Sequence, residues 1–440
     1  MPKQHLIFIL FTTCHSILSL VGALRSLLAN SKNKNCLVSP PVLGAGLLDG
    51  VLEDLGWGLG MKGGGGRRGL GTFEDSAIRS APLRIRRVAI RRVAIFLALA
   101  RMSSLPRGSA LEVDAAENFF DTSKIEGERH TLGWAESCLT ACERACRNDP
   151  PSRSAFVQLL RWNRNDDCAY RCTHACLAES IKHGGRMWKY KGKWPHTRIL
   201  GIQEPFSTGF SLLNLAAHCV GYVMICSCRR AVDQAAPGAG GAQGVLVLGV
   251  AGAQAHIRRL QGMSALWMGA WISSSVFHAR ETWWSERLDY YSGNLAMAWM
   301  VYTSIARAAA PLVPMHRSWL LRLSGAVLSS VVGGNMVLNY PVINYGRNMA
   351  MMIGLLCAHT LAWLCSCMAS PASHNRLFYL SAALTYGAGL LEIWDFPPIL
   401  GSLDAHALWH GATPPLTFLF YRFLSLDATR LVQERAVKTQ

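Results

Sequence analysis

From residue 203 to 423 the chain alternates long apolar runs with short polar connections. The runs fall near 203–227, 260–278, 289–310, 318–338, 348–370, 376–394 and 404–423. Each is close to the ~20 residues an α-helix needs to cross a hydrocarbon core, which predicts seven transmembrane helices. A Gly/Ala-rich run, 244–255, is too short to span and is read as part of a loop. Upstream the pattern changes. Cys138, Cys142 and Cys146 recur at four-residue spacing, as do Cys168, Cys172 and Cys176, so on helices each trio stripes one face. The predicted fold is all-α: a polytopic membrane protein with seven transmembrane helices preceded by a small Cys-rich lumenal helical domain. Its expected divisions are an N-terminal extension over 1–110, the Cys-rich domain over 111–198, the membrane domain over 199–424 and a cytosolic tail over 425–440.

Composition agrees with a membrane as solvent. Of 440 residues, 50% are apolar and 16% charged, too apolar for one ordinary soluble domain. The formal charge of +17 raises the question of nucleic acid, yet residues 1–110 hold 15 Lys/Arg against 5 Asp/Glu and so supply +10 of it. No basic stripe interleaved with stacking aromatics follows, which argues against nucleic-acid binding. Within the extension, Leu6–Leu28 and Val93–Ala100 are apolar runs behind basic residues, and either has the form of a secretory signal. The expected signal lies near 84–110. The Gly-rich stretch 61–68 and the repeated Arg-Arg-Val-Ala-Ile over 86–95 read as disorder. A basic tail lying on anionic lipid is the alternative.

Six cysteines behind a signal suit a disulfide-stapled helical hairpin in an oxidising lumen, with fifteen pairings open. Zinc ligation by these cysteines is the rival reading, weakened by the absence of a C-x2-C turn. With the Cys-rich region in the lumen, the cytosolic loops and tail carry twelve Lys/Arg and the opposite loops only Arg280, Arg287 and Arg347. That asymmetry follows the positive-inside distribution.

Candidate chemistry gathers at the lumenal ends of three spans. Ser274 and His278 are four residues apart, as are His406 and His410, so on helices each pair shares a face. Asp289 opens the span after His278. Ionisable groups at such positions are costly unless paired or functional, and three converging imidazoles with one open position form a common catalytic zinc site. His218, His316, His359 and His374 have no visible partners and are read as interfacial.

These residues resemble a known family. Ser274-x3-His278, Asp289 eleven residues later and His406-x3-His410 are similar to the CREST superfamily of seven-span metal-dependent hydrolases. More narrowly, Gly192-Lys-Trp-Pro195, Gln203-Glu-Pro205, Asn344-Tyr-Gly-Arg-Asn348, Asp395-Phe-Pro-Pro398 and the block 403–410 resemble its Per1-like branch, the post-GPI-attachment fatty-acid-remodelling phospholipases. The resemblance covers about 134–424. It implies Zn2+ held by His278, His406 and His410, with Ser274 and Asp289 beside it. It also implies lumenal hydrolysis of the sn-2 acyl ester of GPI-anchored proteins, in the Golgi or endoplasmic reticulum. Zinc polarises an ester carbonyl and activates water; Asp289 would accept the water's proton and Ser274 would donate to the oxyanion. A Ser274–His278 acyl-enzyme is the competing mechanism, and it leaves three histidines without a purpose. Glu392 and Asp395 are read as supporting residues. A ceramidase-like amidase and a non-enzymatic GPI-protein escort are the alternative functions.

Overall fold

The structure, a computed structural model, describes residues 125, 127–190, 192–234 and 243–437. The N-terminal extension and its two candidate signals lie outside the described residues. The Cys-rich region is a hairpin of α1 (Leu132–Asn148) and α3 (Arg164–Lys182), with the short α2 (Ala155–Leu159) in the connection. Thr131 caps α1 by accepting from the Trp134 amide, and Asn163 caps α3 by accepting from Asp166. Asp166 and Asp167 in the first turn of α3 suit the positive end of its dipole. Because the helices run antiparallel, the two cysteine stripes meet as rungs: Cys138–Cys176, Cys142–Cys172 and Cys146–Cys168. All six cysteines are buried, with Trp134 packed among them. The rungs join residues 38, 30 and 22 positions apart, spacings for which each cross-link restricts the unfolded chain by about 3–4 kcal/mol. They consume the stripe cysteines, so the rival zinc reading of that region is set aside.

Seven long helices follow: α4 (Pro205–Gln234), α5 (Gln243–Ala279), α6 (Trp283–Ala308), α7 (Pro314–Leu338), α8 (Tyr345–Ala369), α9 (Asn375–Trp394) and α10 (Ala405–Val437). Of these, α4, α7, α8 and α9 are long and apolar enough to cross a membrane. Polar residues interrupt the other three: His256, Arg258 and Arg259 in α5, Glu286, Arg287 and Asp289 in α6, and His406, His410 and Asp427 in α10.

Three expectations are corrected. The 244–255 run is helical, forming the start of α5; it is too short to span a bilayer but contains no proline to stop a helix. Helix α6 begins at Trp283 rather than Asp289, because Thr282 and Ser285 form a reciprocal capping box. Helix α10 runs on to Val437 instead of ending in a tail at 425. Its Asp427 is buried against Arg307 of α6 through two 2.7 Å hydrogen bonds, which holds that segment in the bundle.

Helix α4 packs on α5 and α10, α5 on α6, α6 on α8, and α9 on α10. Trp363 of α8 closes the ring by meeting Phe378 of α9 and Phe423 of α10. Six helices thus surround a central cavity, and α7 lies against α6. Gly221 permits the close crossing of α4 and α10, since a Cβ there would run into the Tyr421 ring. The Tyr421 hydroxyl donates to Ser264 and is paired with His218, each at 2.9 Å.

Candidate active site

The fold brings together all five residues expected from the sequence. His278 lies in the last turn of α5, Asp289 in the second turn of α6, and His406 and His410 one turn apart at the start of α10. The His406 Nε2 is 3.4 Å from Nε2 of His278 and 2.9 Å from Nε2 of His410. All three ligand atoms lie within 4.8 Å of one another. Nitrogens held at ~2.0–2.1 Å on a tetrahedral ion sit roughly 3.3–3.4 Å apart, so the triangle fits a metal with little movement.

What aims these nitrogens was mostly hidden in the sequence. Glu204, just before α4, places Oε2 2.7 Å from His278 Nδ1. Glu392 at the end of α9 places its two oxygens 2.9 and 3.0 Å from His406 Nδ1. A carboxylate on Nδ1 fixes the tautomer and turns the Nε2 lone pair inward, the usual support of a metal-binding imidazole. Ser211 of α4 lies 3.3 Å from His410 Nδ1 and 3.1 Å from the Ser274 hydroxyl. Ser274 and Asp289 line the same cavity. Asn214 donates to the His410 carbonyl at 2.8 Å, and Trp271 stands edge-on to its ring. Of these partners, Glu392 was legible as an acid in an apolar span and Glu204 as the centre of Gln203-Glu-Pro205; Ser211 and Asn214 carried no signal.

A strap over residues 192–204 runs beside the cluster. The amides of Gln203 and Glu204 donate to the carbonyls of Ala279 and His278 at 2.9 Å, which is how Glu204 reaches its histidine. On the other side, Thr197 donates to the Gly401 carbonyl at 2.7 Å and Trp194 to Asp395 at 2.9 Å. His196 lies 3.4 Å from Asp404. Burial pulls its imidazole pKa down, but the hydrogen bond to Asp404 and the nearby Glu204 carboxylate outweigh that and raise it.

Below the cluster opens a cavity of about 420 Å³. Its wall on α10 runs from His406 to Phe420, a helical rise of roughly 20 Å. Met263, Met297, Met300, Met349 and Met352 line the middle, and methionine adapts readily to irregular apolar shapes. His218 and His359, expected at an interface, also line this cavity; His316 and His374 do not.

The architecture defines an integral membrane protein, all-helical among its described residues, with a three-histidine cluster, two of its members buried and His406 half-buried, able to hold a metal at the head of an apolar cavity. The chain belongs to the Per1-like family, which matches residues 154–428. It is 30% identical over 318 residues to "GPI-specific phospholipase A2-like PGAP3" of Mus musculus, covering 70% of this chain and 91% of the mouse protein. The Homo sapiens protein of that name is 28% identical over 320 residues, covering 71% and 92%. "Protein PER1 homolog" of Schizosaccharomyces pombe is 28% identical over 327 residues, covering 71% and 91%. No solved structure matches the chain.

The Glu204–His278 contact gives a first prediction. Glu204→Gln should keep the fold but weaken metal binding about tenfold to a hundredfold, the usual cost of losing such a supporting partner. Titration of the apo-protein with Zn2+ measures this, and an unchanged affinity would show that Glu204 does not orient His278.

Proposed function

We propose that the chain is a zinc-dependent phospholipase that removes the sn-2 acyl chain from GPI-anchored proteins. It acts in the Golgi or endoplasmic reticulum with its site facing the lumen. The carrying observation is that three histidines converge at the head of an apolar cavity long enough for a fatty-acyl chain. The names of the relatives supply the substrate class. On this reading all seven long helices cross the membrane, the disulfide hairpin of the 111–198 region is lumenal, and 1–110 is a removable extension. Zn2+ is the proposed ion because the donor set is entirely imidazole nitrogen with one position left open.

Bound there, the ion would supply Lewis acidity toward the ester carbonyl and toward water. The chain's residues do the rest. The methionine-lined cavity takes the acyl chain and fixes the ester at its head. Asp289 accepts a proton from the attacking water as the water oxygen bonds to the acyl carbon. Ser274, beside Ser211 and in the cavity wall with Asp289, donates to the developing oxyanion. When the carbon–oxygen bond breaks, Asp289 returns the proton to the glycerol oxygen, leaving a free fatty acid and a lyso-anchor.

Cells lacking their endogenous remodelling enzyme provide the test. Expression of this chain should replace anchors that retain an unsaturated sn-2 chain with lyso- or remodelled anchors, and the purified protein should release fatty acid in a Zn2+-dependent way. Normal delivery of anchored proteins with unremodelled anchors would instead identify a non-enzymatic escort.

A further inference from the structure

Between Glu179 and Glu204 the chain carries six Lys/Arg and no acid. Much of this stretch is the strap beside the site. It lies close before the first long helix, within the ~15–20 residues over which positive charge orients a span. On the lumenal side it opposes the asymmetry of the remaining loops, so its charge calls for a use there.

Two of the cations have structural work. Arg198 is buried, paired with Asp167 at 2.8 Å and stacked on the rings of Trp162 and Tyr170. Lys189 is held by Asp395. Lys193 makes a like pair with Glu281 at 2.5 Å, but it stands beside the site and is more exposed. Its side chain is 46% exposed, and its Nζ lies 5.1 Å from the centroid of the Phe277 ring. Phe277 lines the cavity, and its ring is 5.0 Å from that of His278. The ammonium therefore sits no more than about 10 Å from the His278 ring. Its carboxylate partner, Glu281, is itself held by the Gln203 side chain. A lysine ammonium has three donors, so Lys193 can keep Glu281 and still take an anion.

We propose that Lys193 binds the phosphodiester of the substrate lipid and so makes the chain select glycerophospholipids over neutral glycerolipids. The inference rests on the hydrolase reading above, which puts the sn-2 ester at the histidines. In such a lipid the acyl carbonyl and the phosphorus are separated only by the ester oxygen, two glycerol carbons and the phosphoester oxygen. With the carbonyl at the cluster, that short separation lets the phosphate reach the ammonium past Phe277. The Phe277 face fixes the ammonium there, and the half-exposed pair with Glu281 is weak enough to adjust.

Equilibrium binding to full-length protein in detergent micelles tests this with two probes, a diether phosphatidylinositol and the corresponding diether glycerol. Neither carries an acyl ester to cleave. Wild type should bind the phosphatidylinositol about tenfold to a hundredfold more tightly, as expected for a charge-assisted contact. Lys193→Ala should weaken only that probe and abolish the preference, Lys193→Arg should retain it, and Glu281→Gln should leave it intact or enlarge it. The proposal is overturned if wild type shows no preference, if Lys193→Ala weakens both probes alike, or if Glu281→Gln reproduces the loss. Read beside the separate fatty-acid release assay, headgroup preference without release would refute the hydrolase reading alone, and release without preference would refute this one alone.

Discussion

His406→Ala should strip the protein of most of its bound zinc and take lipid hydrolysis to background. The reason is geometric. The His406 Nε2 lies within 3.4 Å of the Nε2 of both other histidines, and its removal leaves two nitrogens to hold a tetrahedral ion. The loss should exceed the roughly tenfold to hundredfold weakening caused by removing a supporting carboxylate. The Glu392 carboxylate would also lose its Nδ1 partner, although Tyr345 still donates to it, so the fold should survive. Metal analysis of purified protein checks the first point, with about one zinc expected in wild type. Equal zinc in His406→Ala and wild type would remove the assignment of these histidines as ligands.

The cluster is legible in the sequence because of local geometry. His406 and His410 lie on one helix at a spacing that fixes their common face, and the same holds for Ser274 and His278. Local sequence thus carries half of the site. The other half depends on pairings across the chain: Glu204 meets His278 from 74 residues away, and Ser211 meets His410 from 199. No periodicity records such distances, and Ser211 in particular sits in an apolar helix where a serine usually bonds its own backbone.

The fold was legible for a similar reason and failed where the criterion changed. Apolar runs located the long helices because bilayer thickness sets their length. That criterion says nothing about helix that does not span. It therefore missed the start of α5 and the extension of α10, where the buried Arg307–Asp427 pair keeps a polar segment helical inside the bundle. The start of α6 was available in the Thr282–Ser285 spacing. The cysteine stripes defined two facing helix surfaces, and only the antiparallel packing of α1 and α3 selected one pairing from the fifteen.

Asp289→Asn separates catalysis from metal binding. The amide is nearly isosteric with the carboxylate, and Asp289 is outside the histidine triangle, so the variant should fold normally and hold its zinc. What is lost is the ability to accept a proton from water and return it to the glycerol oxygen, and hydrolysis should fall by roughly two to four orders of magnitude. The cellular readout is the fatty acid left at the sn-2 position of GPI anchors when wild type or variant is expressed without the endogenous enzyme. Unremodelled anchors with normal protein level and zinc content are the expected result. Full remodelling by Asp289→Asn would exclude it as the proton acceptor. Full remodelling by the double variant Asp289→Asn with His278→Ala would remove the hydrolytic role of the whole cluster.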